Sequence, residues 1–332
     1  MSQKKLERTD YDVAWICPVP NVELTPSRLM LDNEHQTPSY DTDYDDNTYI
    51  FGEMSGHHVV IATLPKGSSA NVNASRVAGP LFRSFPRIRM TLLVGIGGGI
   101  PRAPSETPHA SISDVHVGDV VVGAPGDGYP GVIYYDFGRS YADGSFEMLG
   151  QIDRPDHVLL SALEKLCSDH ECRQSKFHEH SQMLHRLGNG PRFAFPGLEH
   201  DQLFRPGYLH VGDYGSHCRD CDRAQLVNRP ARTEQDAGKM IFHRGRIATG
   251  NSVVQDGEKR DRIRQQCMGA LCIEMEAAGI DVNRPCLVIR GISDYADSHK
   301  SGVWRSYAAA QAAVFARELL CKVSARSRYS TG

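Results

Sequence analysis

Two carboxylates, one residue apart in an apolar stretch, are the first residues of this 332-residue chain whose placement calls for chemistry. Glu274 and Glu276 are interleaved with Cys272, Ile273, Met275, Ala277 and Ala278, a pattern that predicts a mostly buried element. An unpartnered buried carboxylate is costly, so each needs a cation or a hydroxyl-rich ligand such as a vicinal diol. About a dozen residues on, Leu287-Val-Ile-Arg-Gly-Ile-Ser-Asp-Tyr-Ala-Asp297 reads as a strand that ends in Ser293-Asp294. A carboxyl group there lies at the strand end where open α/β sheets build their sites. An Asx turn or a helix cap is the alternative use of an Asp in that position.

These residues need a frame. Asp12-Val-Ala-Trp-Ile-Cys-Pro-Val19 predicts a buried strand, stopped by Pro18 and Pro20. A short helix is expected over Glu23–Leu31 and a polar excursion over 33–48. Tyr49–Met54 and His58–Leu64 read as a hairpin turned by Ser55-Gly56. Val72, Val77 and Leu81 give Ser68–Phe82 helical spacing. Ile88–Ile96 is a strand running into Gly97-Gly98-Gly99, with a Pro/Ser loop over 101–114 behind it. Val120–Ala124 and Val132–Tyr135 are strands, and Val158–Cys167 is an amphipathic helix. Residues 168–238 are rich in His, Arg, Pro and Gly and too poor in apolar residues for a core of their own, which predicts an irregular insertion. Its His-rich part, 170–200, is expected as solvated loop. Arg246–Gly250 is then a strand, Gly257–Gln266 a polar helix, Leu271–Val282 a helix, Cys286–Ile292 a strand and Trp304–Val323 an Ala-rich closing helix. The alternation predicts one α/β domain over 11–323, a central mixed twisted sheet flanked by helices, with tails at 1–10 and 324–332.

Ile273-Glu-Met-Glu-Ala-Ala278 followed by Ile289-Arg-Gly-Ile-Ser-Asp-Tyr-Ala-Asp297 resembles the nucleoside phosphorylase/nucleosidase superfamily, whose pattern is V-E-M-E-[SA]-A and then V-R-x-I-S-D-x-A-D. Val94-Gly-Ile-Gly-Gly-Gly-Ile100, Val117-Gly-Asp-Val-Val-Val122 and Ala248-Thr-Gly-Asn-Ser-Val-Val254 are similar, in order, to further motifs of that superfamily. Alone, the glycine run would be a generic tight turn. The matches run from about Asp12 to Leu320 around the 168–238 insertion. More narrowly, the pattern looks like the nucleosidase-like domain of many fungal proteins, found alone and at the head of larger signalling proteins. The resemblance implies that Met275 and Glu276 hold a ribose and that Asp294, supported by Ser293, protonates a purine at N7. It also implies that Val253 packs on the base, that Ile96 and Gly97 line the strand-end loop, and that Phe137 and Asp136 shape the base pocket. Glu274 is read as structural.

Members of the superfamily use phosphate or water as nucleophile. Phosphate needs cationic or N–H donors, with Arg the usual forked ligand. Phosphorylases of the superfamily place an Arg and a Ser where this chain has Leu93 and Ile96, and another Arg in a loop that here reads Pro18-Val-Pro-Asn-Val-Glu-Leu24. That loop holds Glu23 instead. The resemblance, with one residue of offset, implies that Glu23 is the general base for water; a first-turn Glu favoured by the helix dipole is the plainer reading. The expectation is a purine-nucleoside N-ribohydrolase. A phosphate-dependent phosphorylase and a non-catalytic nucleoside sensor are the alternatives.

Several classes are disfavoured. A net charge of −3 lacks the basic excess of a nucleic-acid binder. No apolar run approaches the ~18 residues of a membrane span, and Met1–Tyr11 does not read as a signal peptide. The nine cysteines, several inside apolar runs, suit a reducing cytoplasmic setting. Cys218-Arg-Asp-Cys221, near His210 and His217, has the spacing of half a zinc site, but no second pair matches it. No metal and no organic cofactor are therefore expected. The expected partners are a purine nucleoside and, by resemblance, a second copy of the chain.

Overall fold

The computed structural model describes residues 4–102, 114–126, 128–213, 215 and 217–325. Most of the expected 101–114 loop and the outer parts of both tails lie outside them. In chain order the strands are β1 (Val13–Cys17), β2 (Asn33–Glu34), β3 (Ile50–Met54), β4 (His57–Thr63), β5 (Met90–Gly99), β6 (Val120–Gly123), β7 (Val132–Ser140), β8 (Phe146–Gln151), β9 (Phe242–Gly245), β10 (Ile247–Thr249), β11 (Cys272–Glu274) and β12 (Leu287–Asp294). The helices are α1 (Thr25–Leu29), α2 (Ala70–Ser84), α3 (His157–Glu171), α4 (Phe177–Gln182), α5 (Gly257–Gln266), α6 (Ala277–Asp281) and α7 (Arg305–Cys321).

All twelve strands form one mixed sheet that forks at β5. β5 runs parallel to β1 over Met90–Leu93 and to β12 over Leu92–Gly98, while its glycine end, Gly98 and Gly99, also pairs antiparallel with β11. The fork requires the glycines. A Cβ on Gly97 would stand 2.4 Å from the Cys272 sulfur, where no side chain fits. One branch continues through β12 to β6 and β9, the other through β11 and β10 to β7 and β8. The β3–β4 hairpin closes as expected, with Ser55 and Gly56 both at positive φ, the backbone of a tight two-residue turn.

Helix α7 is buried from Tyr307 to Leu320. Its alanines allow backbone-to-backbone approach, and the Ala308 carbonyl faces Gly291 of β12 with no room for a Cβ between them. Apolar clusters lie on both faces of the sheet, one of them built around α7 with Trp15, Leu92, Ile289 and Phe315.

Two expectations need correction. Leu271–Val282 is not a continuous helix: Cys272–Glu274 pair with β10 and β5, and only Ala277–Asp281 are helical. Burial between two strands overrides the helix-like mixture of apolar and acidic residues. The stretch 170–200 is not a solvated loop. It carries α4, sends Phe177, Met183, Leu184 and Phe193 into the α7 cluster, and buries His180 against Glu318 at 2.6 Å. Besides β11, the unexpected strands β2, β8 and β9 are short; β2 is polar, and β8 and β9 are mixed in polarity.

Candidate active site

The carboxyl ends of β1, β5, β11 and β12 converge on a cleft of about 460 Å³. Val19, Ile96, Gly97, Val253, Met275, Glu276, Ser293 and Asp294 all line it. Seven of these were expected from the sequence, and they come from four separate chain regions. Phe137 is placed differently. It is 56% exposed on β7, stacked on Tyr134, and outside this lining. Its neighbour Asp136 accepts from the Asn251 N–H at 2.7 Å and so fixes the loop that carries Val253.

Glu23 lies beneath the lining, 1% exposed, in a single wide turn over Pro20–Leu24. Its Oε2 accepts from the Val19 N–H at 2.6 Å and its Oε1 from the Ile96 N–H at 2.8 Å. These bonds pin the β1 loop to the end of β5. Burial pushes the Glu23 carboxyl up to about 7, against the pull of Arg290 and the two backbone donors.

Arg290 is the organising cation. It is buried on β12, and its Nη2 donates to Glu274 Oε2 and, at 3.2 Å, to Glu276 Oε2. Its Nη1 donates to the Ile96 carbonyl at 3.4 Å. Glu274 also accepts from the N–H groups of Glu276 and Ala277, starting α6. Three buried carboxylates thus share one guanidinium, and burial, with Arg290 opposing it, raises the Glu276 carboxyl as well. Glu276 keeps Oε1 on the cleft side, where the Ala70 N–H reaches it at 3.4 Å. The sequence shows Arg290 only as a charge inside an apolar strand. Its role requires knowing that β11 lies across β5 from β12.

Asp294 accepts from three donors: Ser293 Oγ at 2.7 Å, the Ala296 N–H at 3.0 Å and Lys300 Nζ at 3.2 Å. Ser293 is the support expected from the sequence; the structure adds a neighbouring ammonium. Lys300 was missed because it lies beyond the recognised motif. A Cβ on Gly95 would touch Glu23, and one on Gly98 would touch Asp294. Asp294 thus meets the strand at the cleft lining, and Glu23 meets it three residues earlier, below that lining.

No protein-family model matches the chain. A nucleotide-binding leucine-rich repeat (NLR)-like protein of Hyaloscypha variabilis is 36% identical over 319 residues, 95% of this chain but 30% of the fungal protein. ATP nucleosidase Cap17 of Escherichia coli is 31% identical over 108 residues, 30% of this chain and 21% of that protein. The chain thus spans less than a third of the length of either relative. Among solved structures, the 5'-methylthioadenosine/S-adenosylhomocysteine nucleosidase of Neisseria meningitidis, bound to methylthio-immucillin-A, superposes with a TM-score of 0.56. It is 19% identical and covers 93% of this chain and 98% of its own. The fold is that of the nucleoside phosphorylase/nucleosidase superfamily.

Proposed function

We propose that the chain is a purine nucleosidase that hydrolyses the N-glycosidic bond to free base and ribose. The observation that carries this reading is the Glu23 carboxyl, buried at the meeting of β1 and β5 and poised near neutral pH. A base is most useful when its pKa lies near the working pH. Glu23 takes a proton from water at the anomeric carbon, and Glu276 and the Met275 backbone hold the ribose hydroxyls. Asp294 delivers a proton to N7 of the leaving purine, and Lys300 orients its carboxyl group. Water is favoured over phosphate because the buried guanidinium beside Ile96 already donates to Glu274, Glu276 and the Ile96 carbonyl.

The substrate class is a purine nucleoside, free or 5'-phosphorylated. The name of the bacterial relative makes ATP a substrate to try, and Arg305 and Lys300 put cationic side chains on the cleft wall. A second copy of the chain is the expected partner. The β7–β8 hairpin exposes Phe137, Tyr141, Phe146 and Leu149, an apolar edge suited to self-association beside the base end of the cleft. Among the described residues no helix is long and apolar enough to cross a membrane. The fungal relative's NLR-like name favours a second reading, a nucleoside sensor without turnover. Asp294→Asn decides between them: a folded variant that no longer releases base from a substrate the wild type cleaves supports hydrolysis, and wild-type base release by it overturns the acid assignment. A wild type with no turnover on any nucleoside favours the sensor.

A further inference from the structure

We propose that His210, Cys218 and Cys221 form a metal centre of the zinc type, and that it braces the loop carrying Asp294 and Lys300. The Cys221 and Cys218 sulfurs stand 3.4 and 3.7 Å from Nδ1 of His210, and the three ligand atoms lie within 4.8 Å of one another. A tetrahedral zinc ion, with Zn–S about 2.3 Å and Zn–N about 2.0–2.1 Å, sets sulfur and nitrogen about 3.5–3.6 Å apart. The two distances bracket that value. The chain alone offers a C-x2-C pair without its complement; the fold supplies a third ligand from His210.

The surroundings suit a metal-bound thiolate. Cys221 is buried, and the Val211 N–H donates to its sulfur at 3.4 Å. His299 stands beside the trio, 8% exposed, with its ring edge-on to His210 at 5.6 Å. Its Nε2 has no hydrogen-bond partner among the described residues. Cys218 and His299 line the same surface cleft, so the fourth ligand is His299 after a small rotation or a water from that cleft. The cluster of His180, Glu318 and Cys321 differs, because Lys322 already pairs with its carboxylate at 2.9 Å.

The trio is tied to the cleft. The His210 N–H donates to Ser298 Oγ at 3.0 Å, and His299 is stacked on Phe204 at 4.1 Å and on Tyr208. Ser298 and His299 lie directly before Lys300, whose ammonium reaches Asp294. An ion that cross-links His210 to the Cys218–Cys221 turn therefore fixes the far side of the proton-delivering loop.

The test is metal analysis of the full chain purified without chelator, together with cobalt(II) substitution. The expected results are one zinc per chain and thiolate-to-cobalt charge-transfer absorption. Cys218→Ser should lose both the metal and the absorption, while Cys172→Ser, which changes an exposed cysteine elsewhere, should keep them. Should Cys218→Ser fail to fold, the wild-type metal content and cobalt spectrum decide alone. A wild type without stoichiometric metal and without the thiolate band overturns the site, as does a Cys218–Cys221 disulfide in its peptide map. Chelation should lower the Tm; an unchanged Tm after metal removal overturns the bracing role.

Discussion

Lys300 Nζ stands 3.2 Å from Asp294 Oδ1, and both residues line the cleft. The ammonium fixes the orientation of the carboxyl group. Lys300→Ala should lower kcat by roughly 10²-fold, the low end of a lost acid–base contribution, with KM little changed. Lys300→Arg should recover part of it. Equal kcat in the Ala variant contradicts a role for Lys300 in positioning Asp294.

The raised Glu23 carboxyl predicts the acid limb of the rate profile. As the proposed base, Glu23 acts only as carboxylate, so kcat/KM should fall as pH drops through about 7. Glu23→Gln should abolish that limb along with most of the turnover. The same shift bears on stability. A carboxyl raised from 4.5 to about 7 in the folded state contributes stability that is present below the unfolded value and lost as pH rises through the folded one. Between pH 4.5 and 7.5 the wild type should lose about 3 kcal/mol relative to Glu23→Gln, at 1.36 kcal/mol per pKa unit. Parallel stability curves for the two proteins contradict the assignment.

Gly95 has no side chain because Glu23 and Arg290 fill its space. An added Cβ would stand 2.5 Å from Glu23 Oε1 and 2.5 Å from Arg290 Nη1. Gly95→Ala should cost about 1–3 kcal/mol through overpacking and remove activity out of proportion, because it separates the base from its cation. A folded Gly95→Ala protein with wild-type turnover would mean that this contact does not position the base.

The exposed edge of β8 predicts self-association. Leu149→Lys places a charge in that apolar edge and should shift a dimer to monomer in sedimentation, with the fold unchanged. A wild-type chain that is monomeric at micromolar concentration contradicts the interface.

How much of this was legible depended on whether the signal was local. Ser55-Gly56 carries its own turn chemistry, and Gly257–Gln266 its own helix limits, so both appear where expected. Cys272–Glu274 took the wrong form because strand character there comes from partners, β10 and the glycine end of β5, that are distant in sequence. The 170–200 stretch looked soluble by composition, yet Phe177 and His180 reach α7, and sequence spacing cannot show that. Glu276 and Asp294 were readable through their motifs. Arg290 and Lys300 were not, since each acquires its role from a carboxylate that only the fold brings near.

The most direct test of the account is base release from adenosine, guanosine, inosine, uridine and ATP, with and without phosphate in the buffer. Free purine and an unphosphorylated C1 hydroxyl on the sugar, at the same rate without phosphate, is the predicted result. Strict dependence on phosphate, with a sugar 1-phosphate as product, would contradict water as the nucleophile and Glu23 as its base.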